Sequence, residues 1–221
     1  MSTILISGAG RGLGLELARQ YAADGWRVIG TVRDAKAKLP AGVEARLADV
    51  TRPEQIQKLA KELKSESLDV LFCNAGIIGK RGMVLGSFDY ASWEEVLRVN
   101  VLGAAAFAEA FADHVAASKR KVIAMMSSRL GSIAESSGMT LPYATSKAAL
   151  NMLVKGLAAN LAGKGVTVVA LSPGWVRTDM GGSGAPLDAE TSVAGLRKVI
   201  AELKTADSGR FISYDGSPIP W

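Results

Sequence analysis

Residues 3–14 constrain the fold more than any other stretch of this chain. Thr3-Ile4-Leu5-Ile6-Ser7 is a short β-branched and apolar run, Gly8-Ala9-Gly10-Arg11-Gly12-Leu13-Gly14 follows at once, and Leu15, Leu17, Ala18, Tyr21 and Ala22 then recur at helical spacing. Strand, glycine loop and helix in that order open a dinucleotide fold. The glycines let the backbone come close to a pyrophosphate, and the free N–H groups of the helix start favour its negative charge. A glycine loop alone is a weak signal, so the remaining residues must support it.

They do so by alternation. Val28–Val32, Val43–Ala48, Leu68–Cys73, Lys121–Met126, Val166–Leu171 and Arg210–Ser213 read as further strands. Helical patterns run from Pro53 to Lys64, from about Ser92 to Ser118, through Tyr143, and from Asp188 to Leu203, with looser chain at Ile77–Tyr90 and from Ser172 to Gly184. Strands that alternate with helices imply a parallel sheet covered on both faces. The expected fold is therefore α/β, a Rossmann-type doubly wound parallel sheet of about seven strands. With 221 residues, and with no repeat or linker, one domain spanning residues 1–221 is expected.

Composition excludes several function classes. The chain is 48% hydrophobic and 21% charged, with a net charge of +5, an ordinary globular balance. No cluster of Lys and Arg is interleaved with aromatics, so nucleic acid is not an expected partner; a small anionic ligand is. The longest apolar run, Val101–Ala108, falls short of the roughly 18 residues that span a bilayer. A single cysteine, Cys73, and the absence of a leader pattern after Met1 suit a reducing, cytoplasmic setting.

The chemistry concentrates between Ser127 and Asn151. Tyr143 and Lys147 stand four residues apart at the start of a helical run, one turn along the same face. A lysine beside a tyrosine favours the phenolate, which is expected to bring the phenol pKa down from about 10 toward the working pH. Ser127 and Ser128 follow the apolar run Val122–Met126, where the mouth of a parallel strand presents hydroxyls to a ligand. Taken alone, such a pair is ordinary surface or turn chemistry. Its joint occurrence with the glycine loop is what gives it weight. His114, beside Asp113, reads as a solvated residue and Cys73 as a small hydrophobe. No cluster has metal-ligand spacing, so no metal is expected.

These residues together resemble the short-chain dehydrogenase/reductase family. Ser7-Gly8-Ala9-Gly10-Arg11-Gly12-Leu13-Gly14 is similar to its Thr-Gly-x-x-x-Gly-x-Gly loop, and Asp49, Asn74-Ala75-Gly76, Asn100, Ser128, Tyr143, Lys147 and Pro173-Gly174 follow in the family's order. The stretch Pro173–Gly182 and the tail from Gly209 to Trp221 are similar to its C-factor-like, carbonyl-reductase-like branch. Ser7 replaces a threonine but keeps the hydroxyl, and Cys73 stands where the family often has asparagine.

The resemblance implies roles. Tyr143 is the proton donor and acceptor, Ser128 binds the reacting oxygen, Lys147 binds the nicotinamide ribose and tunes Tyr143, and Asn100 holds a water that relays protons to Lys147. Asp49 and Val50 contact adenine, Asn74, Ala75 and Gly76 border the adenine ribose, and Val176 and Thr178, after Pro173 and Gly174, hold the carboxamide. NADP(H) is implied ahead of NAD(H). The acid that would accept the ribose hydroxyls falls at Val32, and Arg33 and Arg11 stand ready for a 2′-phosphate. The expected substrate is a small ketone, aldehyde or secondary alcohol, between walls at Arg129–Leu141 and Trp175–Pro186; Gly181, Gly182, Ser183 and Gly184 suggest a mobile second wall. Alanine-rich second faces on the two long helices suggest a homodimer or homotetramer. A nucleotide-binding signalling or sensor protein of the same fold is the alternative.

Overall fold

The computed structural model describes residues 1–221. Seven strands form one wholly parallel sheet in the order β3-β2-β1-β4-β5-β6-β7, with β1 Thr3–Ser7, β2 Arg27–Val32, β3 Val43–Leu47, β4 Val70–Cys73, β5 Val122–Met126, β6 Thr167–Ser172 and β7 Phe211–Ser213. The strands begin or end within two residues of their expected limits. One physical reason is visible at Lys121, whose backbone turns left-handed (φ 54°) and so cannot join β5.

Alternation along each strand sorts side chains into two layers. Leu5, Ile29, Leu71, Ile123 and Val168 face a core shared with Ile56, Phe107, Phe111, Leu150 and Val154. Those partners come from helices α2 (Pro53–Glu62), α4 (Gly103–Ala116) and α5 (Leu141–Leu161). Ile4, Ile6, Val28, Phe72, Ala124 and Val169 face the opposite core, with Leu17, Tyr21, Val193 and Leu196 from α1 (Gly12–Ala23) and α6 (Ala189–Glu202). The chain leaves β3 at one edge and returns beside β1 as β4, which opens a crevice at the carboxyl ends of β1 and β4.

The long helix expected from Ser92 to Ser118 is interrupted. It consists of α3 (Tyr90–Leu97), a π-helical turn at Arg98–Leu102, and α4. The wide turn holds Asn100, which is 1% exposed. A polar side chain buried there must find partners, and it leaves the helix register to reach them.

Candidate active site

The crevice at the switch point is a cleft of about 590 Å³. Its floor is the glycine loop, held from behind. Gly8 donates its N–H to Thr31 Oγ1 (3.2 Å), and Asn74 donates from Nδ2 to the carbonyls of Ser7 (3.1 Å) and Gly8 (2.9 Å). Ser7 Oγ accepts from the backbone N–H of Asn74 (3.0 Å) and Ala75 (3.2 Å). Gly14, in the first turn of α1, leaves no room for a side chain, because a Cβ there would collide with the Gly8 carbonyl. This close approach of helix start to loop aims the free N–H groups into the cleft.

Most residues singled out for a cofactor line this cleft: Gly8, Gly10, Arg11, Gly12, Leu13, Gly14, Arg33, Asp49, Val50, Asn74, Ala75, Gly76, Tyr143, Lys147, Pro173 and Thr178. Three do not. Ser7 is buried, and its Oγ, accepting from the two N–H groups that follow β4, fastens β1 to that strand end. Val176 is 4% exposed and pairs with Leu187 in an isolated bridge, and Gly174 packs against Leu187 and Tyr214. The Val176 side chain and Gly174 are both turned into the protein behind the cleft, which leaves the backbone of Val176 as the part able to meet a carboxamide.

At the end where β2 opens, Val32 is buried beneath Gly10. Arg11 and Arg33 are exposed on the cleft wall, and neither forms an ion pair or a side-chain hydrogen bond. Asp34 makes no ion pair with Arg33, and its Oδ1 accepts the Lys36 N–H at 2.8 Å. Desolvation works to raise the Asp49 pKa, but the N–H and hydroxyl of Thr51, followed by the charges of Arg33 and Arg52, outweigh it and hold the carboxyl below its usual range.

At the other end lie Tyr143 and Lys147, on one face of α5. The Nζ of Lys147 sits 5.5 Å from the Tyr143 ring centroid and donates to the Met126 carbonyl at 2.7 Å. Desolvation pushes the ammonium down to about 8. Tyr143 is half-buried; desolvation pushes its phenol up to about 12, while the nearby Ser128 hydroxyl acts in the lowering direction. The expected depression of the phenol pKa by Lys147 is thus corrected for this geometry. One proton of the lysine is directed at a carbonyl, and burial is the first cause acting on each of the two groups.

The two serines differ in what their protons can do. Ser127 Oγ donates to Asn151 Oδ1 at 2.6 Å. Ser128 Oγ accepts the Leu130 N–H at 3.3 Å, and its hydroxyl acts on the Tyr143 phenol, so the group faces the reacting end of the cleft. Asn100 Oδ1 accepts the Ile77 N–H (2.8 Å), and its Nδ2 donates to the Ile77 carbonyl (2.9 Å) and to Ser146 Oγ (2.9 Å). Both amide hydrogens are spent inside the protein. The side chain is therefore an anchor for the Gly76–Ile77 segment and for α5, with only one lone pair left for the water it was expected to hold.

The second wall is a loop with hydrogen bonds of its own. The Gly182 N–H donates to the Thr178 carbonyl (2.8 Å), Trp175 Nε1 donates to the Gly181 carbonyl (2.9 Å), and Arg177 Nη1 donates to the carbonyls of Ala185 and Pro186. Its glycines serve turns: Gly182 has φ 80°, and a Cβ on Gly181 would strike the Val176 carbonyl. The Arg81 guanidinium donates to the Met180 carbonyl and so ties this loop to the Ile77–Tyr90 segment.

The sequence reading missed Thr31, Met126, Ser146 and Asn151. Of these only Asn151, one helical turn beyond Lys147, carried a signal in its spacing. His114 is half-buried, not solvated, with Nε2 3.2 Å from the Ala60 carbonyl and its ring 5.1 Å from Phe111, so it joins α4 to α2. Cys73 is buried, and desolvation pushes its thiol up to about 12. No three His, Cys, Asp or Glu side chains gather in a metal-holding group, and no helix is long and apolar enough to cross a membrane.

A family model described as short chain dehydrogenase matches residues 2–186. The C-signal protein of Myxococcus xanthus is 40% identical over 155 residues, covering 70% of this chain and 93% of its own. The carbonyl reductase Sniffer of D. melanogaster superposes with a TM-score of 0.93 at 32% identity over the whole of both chains. A short-chain dehydrogenase/reductase from Burkholderia multivorans with bound NADP superposes with a TM-score of 0.89 at 33% identity, covering 100% of this chain and 99% of its own. The glycine loop, the Tyr143–Lys147 pair and the parallel sheet that joins them thus coincide with a family match over most of the sequence, and the chain belongs to the short-chain dehydrogenase/reductase family of oxidoreductases.

Proposed function

We propose that this protein is an NADP(H)-dependent reductase of a ketone or aldehyde, able to run the reverse reaction on a secondary alcohol. The observation that carries the reading is that Tyr143 and Lys147 stand in the wall of the same cleft that the glycine loop floors. The cradle suits a dinucleotide: the backbone of α1 meets the loop where a Cβ would not fit, and Arg11 and Arg33, on the cleft wall without ion-pair partners, support the reading of a 2′-phosphate. The bound nicotinamide supplies or accepts the hydride.

The chain's own residues supply the rest. A phenol pushed up to about 12 is protonated at neutral pH, so Tyr143 Oη can donate to the substrate oxygen as negative charge develops there. The Ser128 hydroxyl, beside Tyr143, is available to the same oxygen. Lys147, fixed on the Met126 carbonyl, holds a positive charge close to the tyrosinate left behind. The test is NADPH consumption, followed by absorbance, across a panel of ketones and aldehydes, with NADH in parallel. Turnover of at least one carbonyl with NADPH, faster than with NADH, is expected; no turnover of any of them would contradict the reading.

A signalling role alongside or in place of catalysis is the second reading, favoured by the likeness to the C-signal protein. Association into a dimer or tetramer is part of the proposal. Ala149, Met152 and Ala159 on α5 and Leu102 beside α4 are exposed, Met152 to 72% and Leu102 to 63%. A monomeric mass by light scattering at micromolar concentration would remove it.

A further inference from the structure

Asn151 lies one turn beyond Lys147 on the buried face of α5 and is 3% exposed. Its amide reaches both ends of the segment that carries Ser128. Nδ2 donates to the Gly131 carbonyl at 3.1 Å, and Oδ1 accepts from Ser127 Oγ at 2.6 Å. The orientation is chemically fixed. A carbonyl can only accept, so the amide nitrogen must face Gly131, and the oxygen then faces Ser127, whose hydroxyl must donate. Ser127 is 1% exposed and is held on the sheet by its N–H, which donates to the Leu171 carbonyl at 2.7 Å. Gly131 closes the short turn that Ser128 opens, and it lies so near α5 that a Cβ would come within 2.8 Å of the Lys147 backbone carbon.

We propose that Asn151 is a positioning residue, clamping residues 127–131 onto the face of α5 that carries Tyr143 and Lys147 and thereby fixing the Ser128 hydroxyl against the Tyr143 phenol. The geometry also divides labour within the serine pair. The Ser127 proton is consumed by the clamp, and the Ser128 hydroxyl is left to face Tyr143 and the substrate. The catalytic meaning of the clamp rests on the reductase reading above; the clamp itself does not.

The test needs no substrate. In protein labelled with ¹³C at tyrosine Cζ, the Tyr143 resonance is assigned by its loss in Tyr143→Phe, and Ser128→Ala defines the displacement caused by removing the neighbouring hydroxyl. Asn151→Ala and Ser127→Ala, each shown to be folded by its melting curve, are expected to move the Tyr143 resonance in the direction of Ser128→Ala and to leave Tyr21, Tyr90 and Tyr214 in place. A Tyr143 resonance that stays put in the folded variants, one that moves only together with the other three, or one that does not respond to Ser128→Ala, would each overturn the proposal. If Asn151→Ala does not fold, Ser127→Ala decides by the same criteria, since it removes one hydroxyl and leaves the Gly131 bond intact. On any carbonyl the wild type reduces, kcat should fall about tenfold or more while the KM for NADPH holds within about twofold, because misplacement acts on the reacting groups and not on cofactor binding. A wild type that reduces no carbonyl would count against the reductase reading alone.

Discussion

Lys147 Nζ donates a 2.7 Å hydrogen bond to the carbonyl oxygen of Met126, the last residue of β5, and with 2% exposure it has no carboxylate partner. A helix residue is thereby fastened to the end of a central strand, and an ammonium is held almost wholly out of solvent.

That relationship gives stability a pH dependence. The Lys147 pKa falls from 10.5 to about 8 on folding, so between those values the unfolded chain binds more protons and the folded state gains stability as pH rises. Below about pH 8 the full penalty of burying the charge applies. Relative to Lys147→Met, the wild type should gain about 3 kcal/mol across this window. The measurement is denaturant unfolding of both proteins from about pH 7 to about pH 11, spanning both pKa values, and parallel curves would contradict the burial argument.

Thr140, immediately before α5, has φ 47°, a left-handed conformation unfavourable for a β-branched residue, and its side chain makes no capping bond. Thr140→Gly relieves that strain and should raise stability by about 1 kcal/mol after the extra entropy of an unfolded glycine is counted. A lower melting temperature in the variant would show that the threonine side chain contributes more than the strain costs.

Arg33→Ala should weaken NADPH far more than NADH, by about 1–3 kcal/mol for a lost charge-assisted bond. Fluorescence titration of both cofactors against both proteins measures it. Equal weakening of the two cofactors, or a wild type that binds NADH as tightly as NADPH, would remove the assignment of Arg33 to a 2′-phosphate.

Residues that act through backbone geometry or local order were legible in the sequence; those that act by facing inward were less so. The glycine loop is a run along the chain, and Tyr143 and Lys147 are separated by one helical turn, so each announces itself locally. Ser7 was legible as a motif residue but not in its task, because its partners, Asn74 and Ala75, come from a different strand end. Asn100 could be placed in a helix, yet the π-helical turn that aims it depends on Ile77 and Ser146, far away in sequence. The pKa of Tyr143 is hard to read for the same reason: spacing shows that Lys147 is near, and only the fold shows that Lys147 is bonded to Met126 and that burial disfavours the charged form of each group.

The most direct test of the central claim compares wild type with Tyr143→Phe, a change that keeps the ring and removes the transferable proton. Cofactor affinity by fluorescence and carbonyl-dependent NADPH oxidation are measured on the same samples. The account expects NADPH to bind both proteins with affinities within about threefold, while turnover falls by about 10²–10⁴, the contribution of a positioned general acid. A variant that reduces the wild-type substrate at a comparable rate would contradict the assignment of Tyr143 as the proton donor.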